Sequence, residues 1–379
     1  MDNQRLILFL LFGFSLIMLW DAWQKHGQQP PVTPPTAQTA VAPGAGAVPT
    51  PTAGTTDPTV PVVSETKEAT AATMEVDTDL FRAEISAQGG DLVRLELKRH
   101  KATEDKSQNF VLFERKHAYA AQSGLIGTGL PSHKSIWQLP GTVAALKDGE
   151  QELRVRLEAT GESAVKVAKT YVFKRDSYLV EVEYDLVNGG TAPVNAYAYF
   201  QLVRDGEAPA GSSRMMSTFT GPAFYTDATK FQKASFEDIT KNKAAHPGKT
   251  DNGWVAMVQH YFVSAWLPAG KGEREFYVRE LAKDFYAAGV ILPMAPVAAG
   301  GESKLSVPLY AGPQEQQHLA SVAPGLDLVV DYGWLTVIAA PIFWVLRWIN
   351  SFVNNWGWSI ILLTVLIKAA FFPLSAASY

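Results

Sequence analysis

The chain contains no cysteine. That excludes disulfides, thiolate metal sites and a cysteine nucleophile. It leaves the compartment open, because a large domain on the oxidising side of a membrane can stand on its core alone. Histidine is sparse: His26, His100, His117, His133, His246, His260 and His318 show no HxxxH or related ligand spacing, so no metal is expected. Charge of one sign is lacking too. The 33 Lys and Arg nearly balance 37 Asp and Glu, and the net charge of −4 gives no reason to expect a nucleic-acid partner. GxSxG, P-loop and HExxH motifs are all missing. An SxxK spacing occurs at Ser64/Lys67 and at Ser163/Lys166. The first pair lies in a Pro/Thr-rich stretch and the second in a strand-like one, whereas the chemistry needs a helical turn to aim lysine at serine. No catalytic residue and no cofactor are therefore expected.

What is present divides the 379 residues into five parts. Residues 1–27 read MDNQRLILFLLFGFSLIMLWDAWQKHG, uncharged from Leu6 to Trp20. A secretory signal would close on small residues at a cleavage site. Here the apolar run closes on Trp20-Asp21-Ala22-Trp23, and small triplets such as Ala40-Val41-Ala42 come only well downstream. The spacing predicts an uncleaved transmembrane anchor with Trp20 and Trp23 at the interface. Arg5 leans it towards a cytoplasmic N-terminus. Residues 28–73, rich in Pro, Thr, Ala and Gly and without an aromatic residue, are too poor in apolar surface to offset their ordering entropy. They read as a semi-stiff linker.

Residues 74–325 alternate with period two. Val93-Arg94-Leu95-Glu96-Leu97-Lys98, Leu153-Arg154-Val155-Arg156-Leu157-Glu158 and Val180-Glu181-Val182-Glu183-Tyr184-Asp185-Leu186 each pair a buried face with a wet one. Turn clusters separate such runs: Gln88-Gly89-Gly90-Asp91, Asn188-Gly189-Gly190 and Ala298-Ala299-Gly300-Gly301. Many short strands of this kind predict a β-sandwich. The uniformly apolar Gly253-Trp254-Val255-Ala256-Met257-Val258 is placed deep in its core, and a little helix is expected near 236–243. Glu181, Glu183 and Asp185 are read as a solvated face. Tyr197, Tyr199, Phe224 and Tyr225 are weighed as a sugar cleft and read instead as packing.

Residues 326–353 carry Leu335, Ile338, Ile342, Val345, Ile349 and Phe352 at helical spacing, with Pro341 inside the run. The pattern predicts an amphipathic helix lying in the interface, with Trp334, Trp344 and Trp348 at headgroup level. Residues 354–379 form a second transmembrane helix, in which Lys368 is the single charge between Trp356 and Phe372. An ammonium in hydrocarbon costs about 2.5–3.5 kcal/mol on insertion scales. Either it snorkels to the interface or it lines a polar cavity.

The opening LILFLLFGFSLIMLWDAW resembles that of the bacterial YidC membrane insertases, of the Oxa/Alb superfamily. So do KTYVFKRDSYLVEVEYDLVN (169–188), GWVAMVQHYFVSAWLP (253–268), LYAGPQEQQHLASVAPGLDLVVDYGWL (309–335) and WGWSIILLTVLIKAAFFPLSAASY (356–379). The resemblance implies a multi-pass inner-membrane protein of Gram-negative type that inserts newly made membrane proteins, alone or beside the Sec translocon, and is not an enzyme. It implies a periplasmic β-supersandwich similar to sugar mutarotases, and a hydrophilic groove open to cytoplasm and lipid. The groove's one basic residue falls at Lys368. Many family members carry arginine there, so the charge is kept and the bidentate fork is lost. The implied partners are nascent membrane proteins, Sec components, the lipid bilayer and, through cytoplasmic parts beyond Tyr379, the ribosome. Four more spans and a cytoplasmic hairpin are expected after Tyr379, so these residues would hold one wall of the groove. With a cytoplasmic N-terminus, Lys368 lies about 18 Å along its helix from Trp356, in the cytoplasmic half of a core about 30 Å thick. The rival reading is a membrane-tethered periplasmic carbohydrate-binding or mutarotase-like protein.

Overall fold

The structure is a computed structural model that describes residues 71–160, 164–209, 218–330 and 336–376. The expected anchor, the linker up to residue 70 and Ser163 lie outside them. In chain order the described elements are β1 (Thr73–Asp77), β2 (Phe81–Ser86), β3 (Leu92–Lys101), β4 (Asn109–Phe113), β5 (Ala120–Ile126), β6 (Val143–Ala145), β7 (Glu152–Thr160), β8 (Val165–Lys174), β9 (Leu179–Asn188), β10 (Tyr197–Asp205), β11 (Thr220–Thr226), β12 (Lys230–Lys233), α1 (Phe236–Thr240), β13 (Lys249–Thr250), β14 (Trp254–Gln259), β15 (Phe262–Trp266), β16 (Arg274–Ala282), β17 (Phe285–Pro293), β18 (Glu302–Pro313), α2 (Gln316–Val322), α3 (Thr336–Val353) and α4 (Trp356–Ala376), with short 3-10 turns at Arg115–His117 and Leu326–Val329.

The strands form two sheets. One runs β13-β16-β17-β10-β5-β3-β2-β1-β6, with β4 also on β3; the other runs β12-β11-β14-β15-β18-β9-β8-β7. Described pairs are antiparallel except β1 with β6. Alternation decides which side chains meet between the sheets. On β9, Val180, Val182, Tyr184 and Leu186 are buried, while Glu181, Glu183 and Asp185 reach the outer face. There Glu181 pairs with Lys174 at 2.6 Å, Asp185 with Arg156 at 2.9 Å, and Glu183 with Arg154.

On β3 the alternation is interrupted. Register slips between Glu84 and Ile85 of the partner strand, so Leu92 rather than Val93 joins Leu95 and Leu97 in the core. The extra residue of a bulge turns the chain locally, and Val93 packs instead with Ala120, Val203 and Leu281 on the sheet's other face. β14 is buried at every position for a different reason. Val255 and Met257 enter the core between the sheets, and Trp254, Ala256 and Val258 lie under Leu319 of α2 and under Leu326 and Val329. A strand covered on both faces is apolar throughout. The Trp254 indole also donates to the Pro324 carbonyl at 2.9 Å, tying the sheet to the chain that leads towards the helices.

Asn354 and Asn355 make the corner between α3 and α4. Asn354 takes a left-handed φ of 51° and its N–H donates to the Asn350 carbonyl at 2.8 Å, closing α3. Asn355 Oδ1 accepts the Trp358 N–H at 3.2 Å, capping α4. Among the described residues no helix is long and apolar enough to cross a membrane.

Candidate functional site

Two places hold side chains that ordinary packing does not account for. The first lies inside the sandwich. Lys169 is in phase with Val165, Val167, Tyr171 and Phe173, an inward position of β8, and is fully buried. Its Nζ donates to the Gly89 carbonyl at 3.2 Å and lies 3.5 Å from Oδ1 of Asp91. The rings of Tyr171, Tyr184 and Trp137 stand 5.4, 5.8 and 5.9 Å from it. Gly89 and Gly90 both take positive φ, 73° and 57°, which lets a tight turn of the first sheet aim its carbonyls at the second. Tyr171 donates to the Gly90 carbonyl at 2.7 Å.

Burial sets the electrostatics here. It pushes the Asp91 carboxyl up to about 7, against the pull of Lys169, and pushes the Lys169 ammonium down to about 8. The Tyr184 and Tyr199 hydroxyls are raised by the same cause. Trp137, Tyr171 and Tyr184 are themselves buried and close around the ammonium. A sugar-sized substrate has no approach, so this is a tie between sheets rather than a reaction centre.

The aromatic residues weighed as a sugar cleft part company. Phe224 is in the core, Tyr225 stacks on Trp254, and Tyr197 stands half-exposed on β10. Tyr199 is buried and accepts the His133 N–H at 2.9 Å. The fold also assembles a group that chain spacing hid. His117 Nδ1 donates to Asp205 Oδ2 at 2.8 Å, with Glu207 Oε2 at 3.8 Å and Glu114 Oε1 3.5 Å from Nε2. His117 and Asp205 are 88 positions apart, and only the pairing of β5 with β10 brings them together.

The second place is the helical corner. Ser359, Leu363 and Ile349 are buried where α3 and α4 pack. At 100° per residue, Lys368 lies about 180° round the helix from Ser359. It stands exposed on the face turned away from α3, among Val365, Phe371 and Phe372, which are 60, 62 and 69% exposed.

The family model described as the YidC periplasmic domain matches residues 73–345. The chain belongs to the YidC family. It is 56% identical to "Membrane protein insertase YidC" of Aromatoleum aromaticum and 54% identical to that of Dechloromonas aromatica. All of this chain is covered in both cases, with 70% and 69% of those proteins. Among solved structures, galactose mutarotase-like proteins of Lactobacillus casei (12% identity, TM-score 0.37, 63% of this chain and 100% of that one) and Clostridium acetobutylicum (10%, 0.38, 62% and 93%) resemble it. That likeness is too slight to bear on chemistry. The two-sheet sandwich is thus the periplasmic domain of a YidC-family protein, and α4 follows the matched region.

Proposed function

We infer that this chain acts as a membrane protein insertase, taking newly made membrane proteins into the bilayer. Identity above one half to proteins of that name, over the full chain, carries the reading. Insertion makes and breaks no covalent bond, so the protein is a facilitator and not an enzyme.

The finer reading is that residues 1–27 and α4 cross the inner membrane, that α3 lies at its periplasmic surface, and that Lys368 lines a hydrated groove. The charge there would attract acidic or polar segments of a substrate and hold water within the bilayer, shortening the apolar path. Sec components and the ribosome are proposed partners of the same process. The exposed apolar side chains of α3 and α4 support contact with lipid: Ile338, Trp344, Phe352, Trp358 and Val365 are all more than half exposed.

These 379 residues contain no cysteine; with any cysteine in the added length replaced by serine, Lys368→Cys introduces a single reactive thiol. In membrane vesicles, with the protein extended to the length of its relatives, that thiol should react with a water-soluble maleimide from the cytoplasmic side. An unreactive thiol would leave Lys368 in lipid and contradict the groove. The insertase reading itself is tested by protease protection of a newly made substrate in proteoliposomes with and without the extended protein. Equal protection would contradict it.

A further inference from the structure

A cavity of about 630 Å³ lies between α2, the turn Leu326–Val329 and the helical corner. Its size is that of a small-molecule site, which runs from about 300 to 1,000 Å³. On α3 the lining residues Trp344, Arg347, Trp348 and Ser351, followed by Asn354 at the corner, recur at intervals of three and four, so one stripe of the helix faces the sandwich.

Arg347, on α3, and Asp327, in the turn Leu326–Val329, both line this cavity. Arg347 makes no ion pair or hydrogen bond among the described residues; its guanidinium stands 5.7 Å from the Phe343 ring. The Asp327 carboxylate likewise has no side-chain partner among them. Two unpaired charges of opposite sign facing one cavity ask for a ligand that carries both. Trp344, Trp348 and Trp356, each more than half exposed, stand around it, and the flanking apolar residues Ile338, Ile342 and Phe352 are exposed as well. Indole rings beside an apolar face suit the depth at which polar headgroups meet acyl chains.

We propose that this cavity binds the headgroup of a phospholipid bearing a primary ammonium, with Arg347 taking the phosphate and Asp327 the ammonium. Arginine's fork matches phosphate oxygens. A carboxylate favours an ammonium that can donate N–H, which ethanolamine has and choline lacks. The headgroup then fixes α3 at the membrane surface and sets the standing height of the sandwich above it. The proposal rests on the reading that the helices meet a bilayer.

The test uses the whole 379-residue chain in detergent with defined phospholipids added, and native mass spectrometry to count those retained. Wild type should retain a phosphatidylethanolamine in preference to phosphatidylcholine and phosphatidylglycerol. Arg347→Ala should weaken retention about tenfold or more, the cost of a charge-assisted hydrogen bond, and Arg347→Lys should restore part of it. Asp327→Asn should abolish the preference for ethanolamine over choline. Both positions are on exposed or half-exposed surface, and circular dichroism unchanged from wild type shows each variant folded. Equal retention by wild type and Arg347→Ala overturns the proposal. So does displacement of the lipid by millimolar inorganic phosphate, which would mark a free-anion site. Vesicle flotation separates the two readings: a chain that floats but shows no headgroup preference overturns this proposal alone, and a chain that does not float overturns the membrane reading with it.

Discussion

Lys169, on a strand of the second sheet, places its Nζ 3.5 Å from Oδ1 of Asp91, in a turn of the first, and both side chains are buried. The pair is a charged link through the middle of the sandwich, and it is shielded by three aromatic rings. Removing one partner strands the other charge in a low-dielectric interior. Lys169→Met or Asp91→Asn should therefore each lower stability by about 3–5 kcal/mol, whereas the double variant should cost less than the two singles summed. Urea unfolding of residues 71–330 checks this; simple additivity of the singles would show that the two groups do not interact.

The same pair gives the sandwich a pH dependence. Burial holds Asp91 at about 7 in the folded state, above the ordinary value of 3.8. The folded chain then binds more protons than the unfolded one between those values. Stability from this group is fully present below about pH 4 and is lost as pH rises to about 7. Lys169, pushed down to about 8, titrates above that window. Relative to the Lys169→Met/Asp91→Asn variant, wild type should lose stability from about pH 4 to about pH 7. A difference that stays flat, or moves the other way, in urea titrations at the two ends would refute the assignment.

Gly89 offers a test of the turn that carries this site. Its φ is 73°, and a Cβ there would fall 2.5 Å from the His133 carbonyl oxygen and from Asp91 Oδ2. Gly89→Ala adds both backbone strain and a clash, for a loss of about 1–3 kcal/mol or more. A melting temperature within a degree of wild type would contradict this.

The sandwich should fold without lipid. Its strands bring their own wet faces, and the apolar outer face of β14 is covered by α2 and by Leu326 and Val329. Residues 71–330, expressed alone, should give a soluble protein with a predominantly β circular-dichroism spectrum. Recovery only in detergent would count against an autonomous domain.

Much of this was legible in the chain itself. Alternation in 180–186 marks which side chains face inward, and Gln88-Gly89-Gly90-Asp91 announces its turn. The uniform run at 254–258 correctly signals burial on both faces, although only the fold shows that a helix supplies the second cover. The bulge at Val93 leaves no signal in a strictly alternating segment, because register is decided by the partner strand. Lys169 did leave one: a lysine in phase with Val165, Val167, Tyr171 and Phe173 is a charge on a core face. Its partner was not legible, since Asp91 comes from a turn of the other sheet. The His117, Asp205 and Glu207 cluster was likewise out of reach, because strand pairing and not spacing assembles it. Lys368 is the reverse case: its oddity is plain in the sequence, and the described residues cover none of its face.

That face is where the account is most exposed. The direct measurement is insertion of a substrate with an acidic translocated segment into vesicles carrying the protein extended to the length of its relatives, comparing wild type with Lys368→Arg, Lys368→Ala and Lys368→Glu. A charge working in a hydrated groove predicts near-normal insertion with arginine and a several-fold loss with alanine, deeper with glutamate, where attraction turns to repulsion. Protein levels should match, since removing an intramembrane charge does not destabilise a span. Alanine inserting as well as wild type would show that Lys368 only snorkels, and would contradict the groove.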